Sequence, residues 1–176
     1  MSHIGKQRIL IPKNVKVECV GWKLHAVGKY GKASIVFPMY TRLLLEHNYL
    51  RIVASYIDPA LYGSLQRKLK ALIHGLSLIY VCHLQFVGLG YKAIIENNNI
   101  KLRLGYSHDI TIKIPENLQV NLVKRNNLKI TGPNFELVRQ FAYKIRSFRP
   151  PDPFKGKGIV CMGEHVRRKE GKKKKI

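Results

Sequence analysis

The residues with the most chemistry in them stand at the carboxyl end. From Pro150 on, Pro150, Pro151 and Pro153 hold the backbone extended, and Gly156, Gly158 and Gly163 let it approach a ligand with no side chain between. Around them stand Lys155, Lys157, Arg167, Arg168, Lys169 and Lys172, Lys173, Lys174 and Lys175, with Phe154 available to stack. Proline, glycine, an aromatic ring and many cations suit a segment laid along phosphates. Alone in water such a segment is expected to be unstructured, gaining its shape only against a polyanion.

Other chemistries find less support. Gly88-Leu89-Gly90-Tyr91-Lys92-Ala93 fits the letters of a dinucleotide-binding loop, but that loop must open a helix whose amino terminus meets the pyrophosphate. A short strand and a turn follow here, so the stretch reads as a glycine-bent strand. Gly156-Lys157-Gly158 lacks the spacing and the trailing Ser or Thr of a triphosphate loop. Seven scattered histidines form no ligand pair, and three distant cysteines, Cys19, Cys82 and Cys161, suggest neither a disulfide framework nor a zinc ribbon. No paired carboxylates or activated nucleophile are evident, so neither an enzyme nor a cofactor is expected.

Charge points the same way. Thirty-two Lys and Arg against ten Asp and Glu give a net +22, which repels itself unless a polyanion supplies the balance. The cations are densest after Pro150. The most apolar region, Leu72 to Tyr91, is interrupted by His74, His83 and Gln85 and reads as core, not as a membrane span. Two rival functions are a general nucleic-acid chaperone and a peripheral membrane protein held by the polybasic end. The second needs an acyl site or amphipathic anchor that the sequence does not display.

The elements that must position these residues are mostly strands. Apolar residues alternate at Val15, Val17 and Cys19, at Leu102 and Leu104, at Ile110, Ile112 and Ile114, and at Leu118, Val120 and Leu122. Glu96-Asn97-Asn98-Asn99-Ile100 reads as a hairpin turn. Helical spacing appears at Leu61, Leu65, Leu69, Leu72 and Leu76 behind an Asp58-Pro59 cap, and again at Leu137, Val138, Phe141, Ala142, Ile145 and Phe148, headed by Pro133 and stopped by Pro150-Pro151. Asn48-Tyr49-Leu50-Arg51-Ile52 precedes the first helix and Asn126-Asn127-Leu128-Lys129-Ile130 the second, a repeat that brings a whole helix with it. A competing match, Ile11-Pro12-Lys13-Asn14-Val15 with Ile114-Pro115-Glu116-Asn117-Leu118, has another offset and is set aside. The expected fold is α+β: two duplicated small domains over residues 1–80 and 81–149, each an antiparallel sheet packed with one helix, and an extended basic tail over residues 150–176.

At this point the sequence resembles a known family, the universal large-subunit ribosomal protein six in its bacterial or organellar form. The resemblance rests on Pro150 through Ile159, on Gly163 through Lys172, on Gly88 through Ala93, on Leu104-Gly105-Tyr106-Ser107-His108, and on Ile4-Gly5-Lys6 with Ile11-Pro12. It spans nearly the whole chain, is weakest over residues 20–60, and departs from the family's Arg-aromatic pair at Val160-Cys161. It implies a duplicated α+β fold, no catalysis, and binding to large-subunit ribosomal RNA near the sarcin-ricin loop and the base of the stalk, with translation factors and other large-subunit proteins as neighbours. RNA-contacting positions implied by it are Tyr91, Lys92, Ser107, His108, Lys155, Lys157, Arg167, Arg168 and Lys169; composition adds Phe154 and Lys172 to Lys174. No membrane or small-molecule partner is implied. The match starts with the first residues, which leaves no room for an import signal. A gene inside an organelle or a bacterial one would explain that; the divergent first half and the wealth of Ile, Tyr, Asn and Lys suggest a mitochondrial large subunit encoded in the organelle, the alternative being a bacterial cytoplasm.

Overall fold

The computed structural model describes residues 7–54, 59–124 and 126–171. The chain divides into two compact units: residues up to Tyr80 with Pro133–Phe135, and Val81–Gly132 with the residues from Glu136 on.

In the first unit, β1 (Ile9–Leu10), β5 (Thr41–Glu46) and β6 (Tyr49–Ala54) form one antiparallel sheet in the order β1-β6-β5. β2 (Lys16–Val20), β3 (Lys23–Gly28) and β4 (Gly31–Val36) form a second by simple meander. The helix α1 (Pro59–Ser77) follows, with the proline at its first position as the sequence predicts, because a missing N–H costs nothing there. The Asp58 cap lies outside the described residues. Leu24, Leu50, Ile52, Leu69 and Leu76 are sealed from solvent and join the sheets to the helix. Leu61, at the far end of the leucine stripe, stays 38% exposed.

The second unit repeats this plan. β8 (Lys92–Glu96), β9 (Asn99–Arg103) and β10 (Ile110–Lys113) form the meander, and β11 (Gln119–Lys124), β12 (Asn127–Gly132) and β7 (Tyr80–Val87) follow the order β11-β12-β7 that matches β5-β6-β1. Asn97 and Asn98 take positive φ (44° and 63°) and make the two-residue hairpin that the sequence predicts. The helix α2 (Phe135–Ser147) starts two residues after Pro133 and buries Val138, Phe141, Ala142 and Ile145. Each unit therefore carries two small sheets, where the sequence suggests one. The alternation was legible, but a break from one sheet to the next leaves no periodic signature.

The sequence repeat coincides with this duplication. Leu50 and Ile52 on β6, and Leu128 and Ile130 on β12, are all at 0% exposure and occupy the same place in their units. The competing match does not belong to it. Pro115 opens the turn before β11, where Leu118 N donates to Pro115 O at 3.0 Å. Its topological counterpart is the turn before β5, where Thr41 N donates to Pro38 O at 2.9 Å. Pro12 makes the same kind of turn, Val15 N to Pro12 O at 3.0 Å, but between β1 and β2.

Two expected alternations fail in part: Val15 is buried but Cys19 on β2 is exposed, and Val120 is buried while Leu122 is 37% exposed. Leu122 keeps its register opposite Leu128, and the regular pairing of β11 with β12 breaks just beyond it, between Leu122 and Lys124.

The largest departure is at the carboxyl end. Gly158–Cys161 form a further strand, β13, paired antiparallel with β7 (Ile159 opposite Phe86), and Ile159 is wholly buried. So this stretch is not a free extension awaiting a polyanion. Its Gly-Ile-Val-Cys run is an apolar strand that the surrounding cations hide from a composition reading, and it extends the second unit's sheet on the far side of β7.

Candidate nucleic-acid interface

Three segments of the second unit meet around one cleft. The first is the turn from Gly88 to Tyr91, which links β7 to β8 where the sequence reads a bent strand. A Cβ on Gly88 would come within 2.7 Å of the Tyr91 ring, so glycine is what lets that ring fold back over the turn. The second is the loop between β9 and β10, which brings Tyr106. Its hydroxyl donates to Phe148 O at 2.7 Å, tying the loop to the chain just past α2. The third begins at Arg149, whose guanidinium sits 5.2 Å from the Tyr106 ring centroid. Hydrogen bonding to Tyr106, then to Tyr91, moves the Arg149 guanidinium above its ordinary range, so it stays a cation.

From Arg149 the chain enters a loop that holds itself. Asp152 accepts the N–H of Phe154 (3.1 Å) and of Lys155 (3.2 Å) with its two carboxylate oxygens, an Asx-type turn. Its backbone closes the ring: Gly156 N donates to Asp152 O, and Asp152 N to Lys157 O, both at 2.8 Å. Ile159 N then donates to Arg149 O (2.9 Å), and Lys169 N reaches back to Pro153 O (2.9 Å). Glu164 Oε1 takes Arg146 at 2.5 Å while its Oε2 accepts Cys161 N at 3.3 Å. The residues from Pro150 to Lys169 are thus shaped by their own backbone bonds.

The result is an open cleft of about 610 Å³ lined by Leu89, Tyr91, Tyr106, Arg149, Pro150, Asp152, Lys155 and Lys157. Three cations face one carboxylate, and that carboxylate already accepts two N–H groups. The residual field is positive, and two tyrosine rings stand beside it. Such a surface can neutralise phosphates and offer stacking area to a base. Among the described residues no three His, Cys, Asp or Glu side chains gather to hold a metal ion.

Of the residues the sequence singled out, Tyr91, Lys155 and Lys157 line the cleft. Lys92 opens β8, and Ser107 and His108 follow Tyr106; all three are exposed and none lines the cleft. Phe154 is 57% exposed on the loop's outside. Arg168 lies against Gly156, where a Cβ would stand 3.1 Å from its Nε, and Arg167 and Lys169 are exposed beside it. Lys172, Lys173 and Lys174 lie outside the described residues. Sequence reasoning missed Leu89, Tyr106, Arg149, Pro150 and Asp152. Tyr106 was within reach, since it precedes Ser107 in a motif already singled out. Asp152 was not, because its part is to fold the loop, and no count of cations reveals that.

A family model described as ribosomal protein L6 matches residues 87–160, the stretch from the end of β7 to β13 that carries the cleft. The large ribosomal subunit protein uL6 of Bradyrhizobium diazoefficiens is 34% identical over 177 residues, covering 99% of this chain and 100% of that protein. That of Azorhizobium caulinodans is 37% identical with the same coverage. The large ribosomal subunit protein uL6c of Spinacia oleracea is 37% identical over 175 residues, 97% of this chain and 80% of that protein. With relatives at this identity along almost its entire length, the chain belongs to the ribosomal protein L6 family.

Proposed function

We propose that this chain is a structural constituent of the large ribosomal subunit that binds large-subunit ribosomal RNA through the cleft and basic loop of its second unit. As a ribosomal protein of this family it is not an enzyme. The observation that carries the reading is the self-bonded loop from Pro150 to Lys169, which sets Lys155 and Lys157 beside Arg149 and two tyrosine rings without help from a ligand. A loop already shaped loses less entropy on binding than a free tail. The finer placement, near the sarcin-ricin loop and the stalk base with translation factors and other large-subunit proteins as neighbours, follows from the family resemblance. Contacts should go mainly to phosphates and RNA shape, since cations abound and base-reading side chains do not.

The test is the salt dependence of binding to large-subunit RNA. The double variant Lys155→Ala/Lys157→Ala should bind more weakly at low salt, and the slope of log K against log salt should flatten by about one to two units. An unchanged slope would refute the assignment. As to compartment, two of the three relatives named above are bacterial, which favours a bacterial cytoplasm over the mitochondrion that the divergent first half and composition suggest. Whether the gene lies on a bacterial chromosome or an organelle genome decides between them.

A further inference from the structure

Two of the three cysteines, distant in sequence, stand on one face of the strand pair that the carboxyl-terminal segment makes with β7. Cys161, the last residue of β13, stands opposite Leu84 of β7. Cys82 lies two residues further along β7 and so shares that face, and Met162 N to His83 O at 2.9 Å carries the pairing past it. Both thiols are half-buried at the rim of a face whose inner positions, Leu84 and Ile159, are closed to solvent. Burial, and after it the Coulombic and hydrogen-bonding influence of Cys161, holds the Cys82 thiol above its ordinary range.

We propose that Cys82 and Cys161 form a dithiol site, oxidised by a peroxide to an intramolecular disulfide that fastens β13 to β7. Peroxide oxygen passes to one sulfur as its O–O bond breaks, turning S–H into S–OH and releasing water. The second sulfur then attacks the first: the S–S bond forms, the S–O bond breaks, and the hydroxyl leaves as water with the second thiol's proton. Two thiols and one peroxide give one disulfide and two waters. Diagonal neighbours in a sheet are about 7–8 Å apart at Cα, slightly beyond the usual disulfide span, so the end of β13 must shift inward by about an ångström. Cys161 is the strand's final residue, and the shift must carry with it the turn in which Glu164 N donates to Cys161 O at 3.0 Å and Cys161 N to Glu164 Oε2 at 3.3 Å. Cys19 is exposed on β2 in the other unit and serves as an internal control.

The purified full chain is treated with hydrogen peroxide, its remaining thiols are alkylated, and a digest made without reductant is examined by mass spectrometry. A peptide pair joined through Cys82 and Cys161, short of two hydrogens, with Cys19 alkylated as before, is the expected result. The link should vanish in Cys161→Ser and persist in Cys19→Ser. Oxygen added to Cys82 or Cys161 without any link between them, or chains joined only through Cys19, overturns the proposal. The wild-type digest alone is decisive if Cys161→Ser folds poorly.

Discussion

Gly158→Ala probes whether the carboxyl-terminal segment is built into the second unit. Gly158 has φ +148°, and a Cβ there would stand 2.6 Å from Pro150 O and 2.6 Å from Pro151 Cα, both backbone atoms that no rotamer change can move aside. The backbone conformation costs an alanine about 1–3 kcal/mol, and the overlap adds about as much. The chain has one escape, which is to detach β13 from β7. That forfeits the burial of Ile159, about 2–3 kcal/mol, and ladder hydrogen bonds at about 1 kcal/mol each, so detachment caps the loss at about 3–5 kcal/mol. Taking about 2 kcal/mol as the lower bound, protection of the Ile159 amide, which bonds Arg149 O at 2.9 Å, should fall by at least about thirtyfold in hydrogen exchange. The amides of Ile100 and Leu102, on the other sheet of the same unit, should hold their rates. Gly171→Ala is the control, because nothing lies within 4 Å of its Cβ position. Unchanged Ile159 protection in Gly158→Ala, or an equal loss in Gly171→Ala, would refute the reasoning.

Further outcomes test the rest of the picture. Leu50→Ala and Leu128→Ala, at matching places in the two units and both at 0% exposure, should each cost about 2–5 kcal/mol, and hydrogen exchange should report each loss in its own unit's amides. Tyr106→Phe removes the hydroxyl's bond to Phe148 O and should destabilise the second unit by about 1 kcal/mol in a denaturant titration, while leaving the salt slope of RNA binding unchanged because the Arg149 cation remains. Lys155→Ala/Lys157→Ala should flatten that slope, as set out above.

Local chemistry wrote much of the fold into the sequence. Asn97-Asn98 makes a hairpin because asparagine tolerates positive φ, and Pro59 starts α1 because the first helical N–H needs no partner. Val138, Phe141, Ala142 and Ile145 are buried together because their spacing puts them on one helix face. The repeat around Leu50-x-Ile52 and Leu128-x-Ile130 was legible for the same reason: strand alternation sends both side chains of each pair inward. What escaped was set by distant partners. Leu122 lies where the regular pairing of β11 with β12 ends, and β13 was hidden because its apolar residues find their partner at β7, more than seventy positions away.

The same division holds for the site. By itself, the sequence determined the excess of positive charge that calls for a polyanion and where the cations are densest, since charge and composition are sums that need no folding. Only the tertiary structure decided which cations act together. Arg149, Lys155 and Lys157 converge on Tyr91 and Tyr106 because a carboxylate, Asp152, spends its acceptors on backbone N–H groups and bends the loop toward two turns from other strands. The bend is local, but bringing it against those turns depends on the bond of the Tyr106 hydroxyl to Phe148 O and on the pairing of β13 with β7, both between residues far apart in the chain, and no local pattern encodes them.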